Sequence, residues 1–336
     1  MKKILITGGA GYIGSHVIKE LLKKGGYEIS VIDNLSTGFM DTIERLRYHW
    51  GDFGFAQMDL SDWDRVREFM RKGAFDEVIH FAAALVVPES VENPLKYYLN
   101  NTANTANLIK ASVESGVKKF IFSSTAAVYG EPDSIPASGI TEDALTAPIN
   151  PYGHSKLMSE QVLKDTAKAY PEFKFVALRY FNVAGADVEG TIGQSTKDAT
   201  HLIKVAAQTA LGKREKMYIF GDDYPTPDGT CIRDYIHVDD LALAHIEALD
   251  YLDEHENNIF NVGYGRGYSV KEVIDTMRRV SGKDFEAQMA PRRAGDPAML
   301  IADSSKLRAS TEWQPRYDDL ELICKTALEW EKKLSK

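Results

Sequence analysis

The chain has 336 residues, 44% of them hydrophobic, and a formal net charge of −9 at pH 7. That length exceeds what a single core usually spans and predicts two lobes. The acidic balance argues against a nucleic-acid partner, which needs clustered Lys and Arg, but leaves room for a small phosphate-bearing ligand held by a few local donors. Along the chain, Ile4-Leu5-Ile6 follows Lys2 and Lys3 but ends at once in Thr7-Gly8-Gly9, too short for a signal or membrane segment. The apolar runs Ile4–Thr7, Ile29–Asp33, Phe53–Met58, Val78–Phe81, Phe120–Ser123 and Phe175–Arg179 predict strands. Helical patterns lie near 14–24, 62–72, 95–115 and 152–170. This alternation predicts a parallel sheet covered on both faces, with ligands beyond the carboxyl ends of its strands. The second half is less regular, with Gly-, Pro- and Asp-rich loops at 183–198, 221–234 and 291–297. The runs Tyr235–Val238 and Ile259–Val262 are expected to return to the first sheet and interleave the lobes. Cys231 and Cys324 make neither a disulfide framework nor a zinc site, so no metal is expected and a reducing, cytoplasmic setting is.

The first strand runs into Thr7-Gly8-Gly9-Ala10-Gly11-Tyr12-Ile13-Gly14. Glycines 9, 11 and 14 fit one phosphate-binding spacing and glycines 8, 11 and 14 another; either lets the backbone approach a pyrophosphate at a helix N-terminus. Asp33 ends the next strand, where a carboxylate holds a ribose 2′-hydroxyl and repels a 2′-phosphate, favouring NAD over NADP. Asp33 as a simple loop cap is the plainer alternative. Asp59-Leu60 ends the third strand; Asp59 serves equally as an acceptor for adenine or as a helix cap. Phe81-Ala82-Ala83-Ala84 ends the fourth, with side chains small enough for a cofactor to lie against the backbone.

Ser123-Ser124-Thr125 ends the fifth strand. Asn150-Pro151-Tyr152-Gly153-His154-Ser155-Lys156 reads as a capped helix start. Tyr152 and Lys156 are four apart and share one face. A lysine beside a tyrosine favours phenolate, and such a tyrosine removes a proton from a sugar hydroxyl near neutral pH. A solvated helix face is the commoner fate of such a pair, so its weight comes from the glycine turn and the hydroxyl cluster.

In these three segments together, the chain resembles the extended short-chain dehydrogenase/reductases. Asp33-Asn34-Leu35, His80–Ala83, Arg179-Tyr180-Phe181-Asn182, Ile219-Phe220-Gly221, Gly229–Val238 and Pro291–Asp296 narrow the likeness to the UDP-glucose 4-epimerase family, from residue 2 to about 330. The resemblance implies a Rossmann-type α/β fold with a smaller α/β C-terminal substrate domain. The expected division is residues 1–182 plus about 234–262 for NAD, and 183–233 plus about 263–336 for the UDP-sugar. It implies that Thr125, Tyr152 and Lys156 are catalytic, with Thr125 on the sugar 4-oxygen. It implies that Gly8, Gly11, Tyr12, Ile13, Gly14, Asp33, Asn34, Asp59, Leu60, Phe81, Ala82, Ala83, Asn101, Ser123 and Phe181 join Tyr152 and Lys156 around NAD. Asn182, Leu202, Tyr218, Phe220, Arg233, Arg293, Asp296 and Leu300 are implied to join Thr125 and Tyr152 around UDP-glucose or UDP-galactose. The plainer alternatives are surface salt bridges for Arg233 and Arg293 and core packing for Tyr218 and Phe220. Pairing of two copies through helices near 95–115 and 152–170 is also implied.

Three positions depart from the family's common pattern: Thr125 where Ser is frequent, Leu85 where some members carry Lys, and Leu300 where some carry Tyr. A 4,6-dehydratase needs a further acid and base, and related dehydratases carry Asp-Glu after the active-site Thr; Ala126-Ala127 stand here. A 4-epimerase of UDP-pentoses or UDP-N-acetylhexosamines is a closer alternative, and a non-catalytic dinucleotide-binding redox sensor a remoter one.

Overall fold

The computed structural model describes residues 1–132, 136, 138–196, 199–293 and 296–335. The strands in chain order are β1 (Lys2–Thr7), β2 (Tyr27–Asp33), β3 (Gly54–Gln57), β4 (Glu77–His80), β5 (Lys119–Ser123), β6 (Lys174–Tyr180), β7 (Asn182–Ala184), β8 (Met217–Phe220), β9 (Ile232–His237), β10 (Asn258–Val262), β11 (Gly267–Ser269), β12 (Ala287–Ala290) and β13 (Met299–Leu300). Seven form one parallel sheet in the order β10-β6-β5-β4-β1-β2-β3. Its continuous apolar strands are explained by two covered faces. Ile4, Ile6, Ile121, Val176 and Leu178 point into one buried cluster. The alternate residues Leu5, Phe120, Phe122, Phe175 and Ala177 point into the other.

The strand order reverses beside β1, which has β2 on one side and β4 on the other. This opens a crevice at the carboxyl ends of β1 and β4, where such sheets bind ligands. The helix Tyr12–Lys24 leaves β1 there, directly after the glycine turn.

Two segments differ from expectation. The stretch 95–115 is not one regular helix: Pro94–Tyr97 is α, Tyr98–Ala103 is a π turn and Asn104–Glu114 is α again. The wide turn lets Asn101 and Thr102 bond the neighbouring helix Pro151–Ala169, through Asn101 Nδ2 to Ser155 Oγ at 3.0 Å and Thr102 Oγ1 to the Ser155 carbonyl at 3.0 Å. Such turns concentrate at functional sites. The helix Met40–Trp50 was unforeseen, because only Thr42, Ile43 and Leu46 of it are buried and its apolar stripe is thin.

Of the two runs expected to rejoin the main sheet, Asn258–Val262 does so, as the edge strand beside β6. Tyr235–Val238 does not. Its first three residues belong to β9, the centre of a smaller sheet, which pairs antiparallel with β11 and parallel with β7 and β13, and Val238 opens the next helix. The physical reason is the next element in the chain. The helix Val238–Glu254 crosses back to pack on β5, β6 and the Tyr12–Lys24 helix, so the chain re-enters the first lobe through that helix rather than through β9. β8 and β12 form a separate two-stranded ribbon. Among the described residues no helix is long and apolar enough to cross a membrane, and none of their His, Cys, Asp and Glu side chains form a metal-holding group.

Candidate active site

The glycine turn is shaped by close backbone approaches. Gly8 has φ +74°, and a Cβ on it would sit 2.7 Å from the Ala82 nitrogen; one on Gly14 would sit 2.5 Å from the Gly8 carbonyl oxygen. Gly9 is different: its Cβ would meet the side chains of Val31 and Ile18. The 8, 11, 14 spacing therefore carries the tight turn, and Gly9 lets the turn pack on the core. Asp33 supports the loop, with Oδ2 accepting from the Ala10 nitrogen at 3.0 Å and Oδ1 from the Leu35 nitrogen at 2.8 Å. Each oxygen retains a second acceptor site. Burial raises the Asp33 pKa above its ordinary value, while those two backbone bonds oppose the rise. Asn34 donates from Nδ2 to Asp59 Oδ2 at 2.6 Å, and Asp59 Oδ1 accepts from the Ser61 nitrogen. The helix cap itself falls to Asp62, whose side chain accepts from the Arg65 nitrogen. Leu60 is buried below.

Around the same crevice, Tyr12 reaches the second lobe, its hydroxyl donating to the Gly185 carbonyl at 2.7 Å, with the half-buried Ile13 beside it. Phe81, Ala82 and Ala83 are half-buried. Asn101 holds the next residue, Ala84, accepting from its nitrogen and donating to its carbonyl. Phe81 lies 4.8 Å, centroid to centroid, from the buried imidazole of His245. Leu85 is exposed.

The helix Pro151–Ala169 begins with Asn150, whose side chain accepts from the Gly153 nitrogen, and Pro151 in its first turn, as its sequence dictates. Tyr152 and Lys156 are both buried on its inner face. Tyr152 lies beside Thr125 and meets Tyr97 edge-on at 6.4 Å. Lys156 Nζ donates to the Ser123 carbonyl at 2.8 Å and lies over the Phe122 ring. The Ser123 hydroxyl is paired with Tyr180 at 2.7 Å. Burial lowers the Lys156 pKa to about 7, with Glu160 pulling it back up. The Tyr152 phenol is raised by burial, and the Thr125 side chain opposes that rise. The expected lowering by Lys156 does not operate in this arrangement, because the ammonium is directed to the Ser123 carbonyl.

The second lobe contributes three groups. Asn182, exposed at the start of β7, pairs in register with Tyr235 and lines a small cavity with Leu202, the first residue of the helix Leu202–Ala210. Arg233, buried on β9, donates from NH2 to Asp296 Oδ1 at 2.7 Å; it pairs in register with Leu300, which packs against the cluster of Ala126, Val128, Tyr129, Ile140, Phe181 and Ala302. Tyr218 and Phe220, 6.2 Å apart on β8, are exposed and half-buried rather than core, and the Arg293 guanidinium lies 3.8 Å over the Phe220 ring. Ala294 and Gly295 of the expected Pro291–Asp296 segment lie outside the described residues. The residues not foreseen are Tyr97, Tyr129, Glu160 and His245. Glu160 alone had a signal, continuing the four-residue spacing from Tyr152 and Lys156.

The chain thus combines a glycine turn at the switch point, a buried Tyr/Lys pair with Lys156 bound to the end of β5, and arginines on a second lobe. The model of the NAD dependent epimerase/dehydratase family matches residues 4–263. The chain belongs to that family. A UDP-glucose 4-epimerase of Azospirillum brasilense is 52% identical over 99% of this chain and 92% of its own length. The UDP-Glc/GlcNAc 4-epimerase structure from Campylobacter jejuni is 59% identical, covers 99% of this chain and 100% of its own, and superposes with a TM-score of 0.87. The UDP-glucose 4-epimerase structure of Bifidobacterium longum, in complex with NAD+ and UDP, is 38% identical, covers 99% of this chain and 98% of its own, and gives a TM-score of 0.93.

Proposed function

We propose that this protein is an NAD-dependent UDP-sugar 4-epimerase that interconverts UDP-galactose and UDP-glucose. The observation that carries the reading is the buried Tyr152–Lys156 pair, with Lys156 Nζ tied to the Ser123 carbonyl, in a fold whose glycine turn leaves room for no side chain. The cradle fits a dinucleotide: Gly8, Gly11 and Gly14 keep the backbone bare, Tyr12 and Ile13 open the helix whose N-terminus takes the pyrophosphate, and Asp33 offers free acceptor sites for the adenosine ribose. Asn34, Asp59 and Leu60 flank the adenine; Phe81, Ala82, Ala83, Asn101, Ser123 and Phe181 line the nicotinamide half. Bound NAD would supply reversible hydride exchange with sugar carbon 4, and the residues named here would hold it for that chemistry.

Tyr152 accepts the 4-hydroxyl proton as the sugar is oxidised and gives it back on reduction. Because burial holds its phenol high, the group needs positive charge beside it to act near neutral pH; the oxidised nicotinamide would supply it, with Lys156 holding the nicotinamide ribose. Thr125 holds the 4-oxygen. Arg233 and Arg293 hold the diphosphate in fork geometry, Tyr218 and Phe220 flank the uracil, and Asn182, Leu202 and Asp296 complete the site. With the diphosphate held, the 4-keto sugar turns about its linkage and presents its other face. We place the dinucleotide in the first lobe and the UDP-sugar mainly on residues 183–233 and 263–336.

The 59% identity to a UDP-Glc/GlcNAc 4-epimerase favours a second reading, in which N-acetylated UDP-hexoses are also accepted. Separate incubation with UDP-galactose and UDP-N-acetylgalactosamine, with the products identified, tests both; no 4-epimer from either sinks the proposal. A homodimer is part of the reading, since Leu95, Leu99 and Met158 expose large apolar side chains on the two helical segments.

A further inference from the structure

Two consecutive residues at the end of β5 bond different residues of one helical stripe, and Thr125 follows them beside Tyr152. The Ser123 carbonyl accepts from Lys156 Nζ at 2.8 Å, and the Ser124 hydroxyl donates to Glu160 Oε1 at 2.6 Å. Residues 152, 156 and 160 are four apart and lie on one face of the helix. The Ser123–Lys156 bond holds a group of the proposed reaction; the Ser124–Glu160 bond has no role in it so far. Glu160 is fully buried, and its carboxylate also receives the Arg179 guanidinium in a fork, at 2.9 Å from Nε and 2.6 Å from NH2. Arg179 NH1 then donates to the Tyr129 hydroxyl at 3.0 Å. Tyr129 closes the short turn Ala126–Tyr129 that begins immediately after Thr125. Glu160 therefore reaches Thr125 from both sides, through Ser124 before it and through Arg179 and Tyr129 after it.

A buried ion pair is a poor way to stabilise a core, because desolvation consumes most of the attraction. What this one provides is direction: every bond of the fork fixes an angle as well as a distance. We propose that Glu160 is a positioning residue of the epimerase reaction, holding the Ser124 hydroxyl and the Arg179 fork at once and so setting where the Thr125 hydroxyl stands relative to the Tyr152 phenol. This rests on the reading of Thr125 and Tyr152 as the groups that handle the sugar 4-hydroxyl. Both must meet one oxygen, and misplacement of about 1 Å costs up to ~10²-fold in rate.

Ser124→Ala removes the strand-side bond and leaves the ion pair intact; Glu160→Gln removes the fork. Each purified protein is measured for melting temperature, bound NAD released on denaturation, and kcat and KM for UDP-galactose. The expected result is a fall in kcat of ~10-fold for Ser124→Ala and ~100-fold for Glu160→Gln, with KM and NAD content as in the wild type. The sugar-dependent reduction of bound cofactor, followed by its absorbance in a single turnover, slows by the same factors. Glu160→Gln leaves a buried guanidinium without its counter-charge, and where that protein does not fold Ser124→Ala decides alone. A folded, NAD-loaded Ser124→Ala enzyme with kcat within about twofold of wild type overturns the inference, as does a loss that appears in KM or NAD content instead of kcat. A wild-type protein that turns over neither sugar fails at the epimerase reading itself, and that failure is visible before any variant is made.

Discussion

Leu300→Ser separates two roles that the structure places on one side chain. Leu300 sits on the two-residue strand β13, in register with Arg233, and packs half-buried on the cluster of Ala126, Val128, Tyr129, Ile140, Phe181 and Ala302. Full burial of a leucine is worth about 1.5–3 kcal/mol, so a half-buried one contributes roughly 1–2 kcal/mol, and its loss lowers the melting temperature by a few degrees. Ala126 and Phe181 adjoin Thr125 and Asn182 in sequence, so in the proposed site the same truncation opens space next to the sugar. One or two carbons in such a pocket shift discrimination by about 1–3 kcal/mol, or roughly 10–200-fold in relative kcat/KM. The expected outcome is a rise of that order in activity on UDP-N-acetylgalactosamine relative to UDP-galactose, with a fall for Leu300→Tyr. Parallel measurement of kcat/KM on both substrates and of melting temperature checks it. A lowered melting temperature with an unchanged substrate ratio refutes the pocket role and leaves Leu300 as packing alone.

Tyr152→Phe removes one oxygen from a ring held against Tyr97; turnover falls by about 10²–10⁴-fold while bound NAD and melting temperature hold, and near-normal turnover defeats the mechanism. Lys156→Met deletes a buried cation whose pKa burial lowers to about 7, so the protein is expected to gain stability at neutral pH while losing activity; calorimetry beside kinetics reads both. Acid sensitivity arises from three buried imidazoles, with burial lowering His80 to about 3 and His237 and His245 to about 4. A depressed histidine stabilises above its unfolded pKa of about 6.5, and that stability is lost as pH falls. At about pH 5 each has lost roughly 2 kcal/mol, and Asp234, raised to about 6, returns only about 1 kcal/mol. Melting curves between about pH 7 and pH 5 should therefore drop steeply, and a flat profile contradicts the burial of these rings. Leu95→Glu places a charge on the exposed apolar face beside Leu99; sedimentation should show a dimer for the wild type and a monomer for the variant.

The sequence by itself determined the parts whose signal is local. The glycine turn is written in residues that cannot carry a Cβ, and the alternation of short apolar strands with helices dictates a parallel sheet and the place of its crevice. The Tyr152–Lys156 stripe comes from helix periodicity, and Asn150 and Pro151 mark where that helix starts. Tertiary structure decided whatever depends on which distant segments meet. Two apolar runs of similar length, Tyr235–Val238 and Ile259–Val262, read alike; only the packing of the Val238–Glu254 helix assigns β9 to the small sheet and β10 to the large one. The π turn at Tyr98–Ala103 arises because Asn101 and Thr102 must reach Ser155, a contact no local propensity encodes. Lys156 was legible as a cation beside a tyrosine, but its direction toward the Ser123 carbonyl was not. Glu160 read as an ordinary helical acid until Ser124, 36 positions away, and Arg179, 19 positions away, closed around it. A buried charge is revealed by its partners, and those are set by the fold.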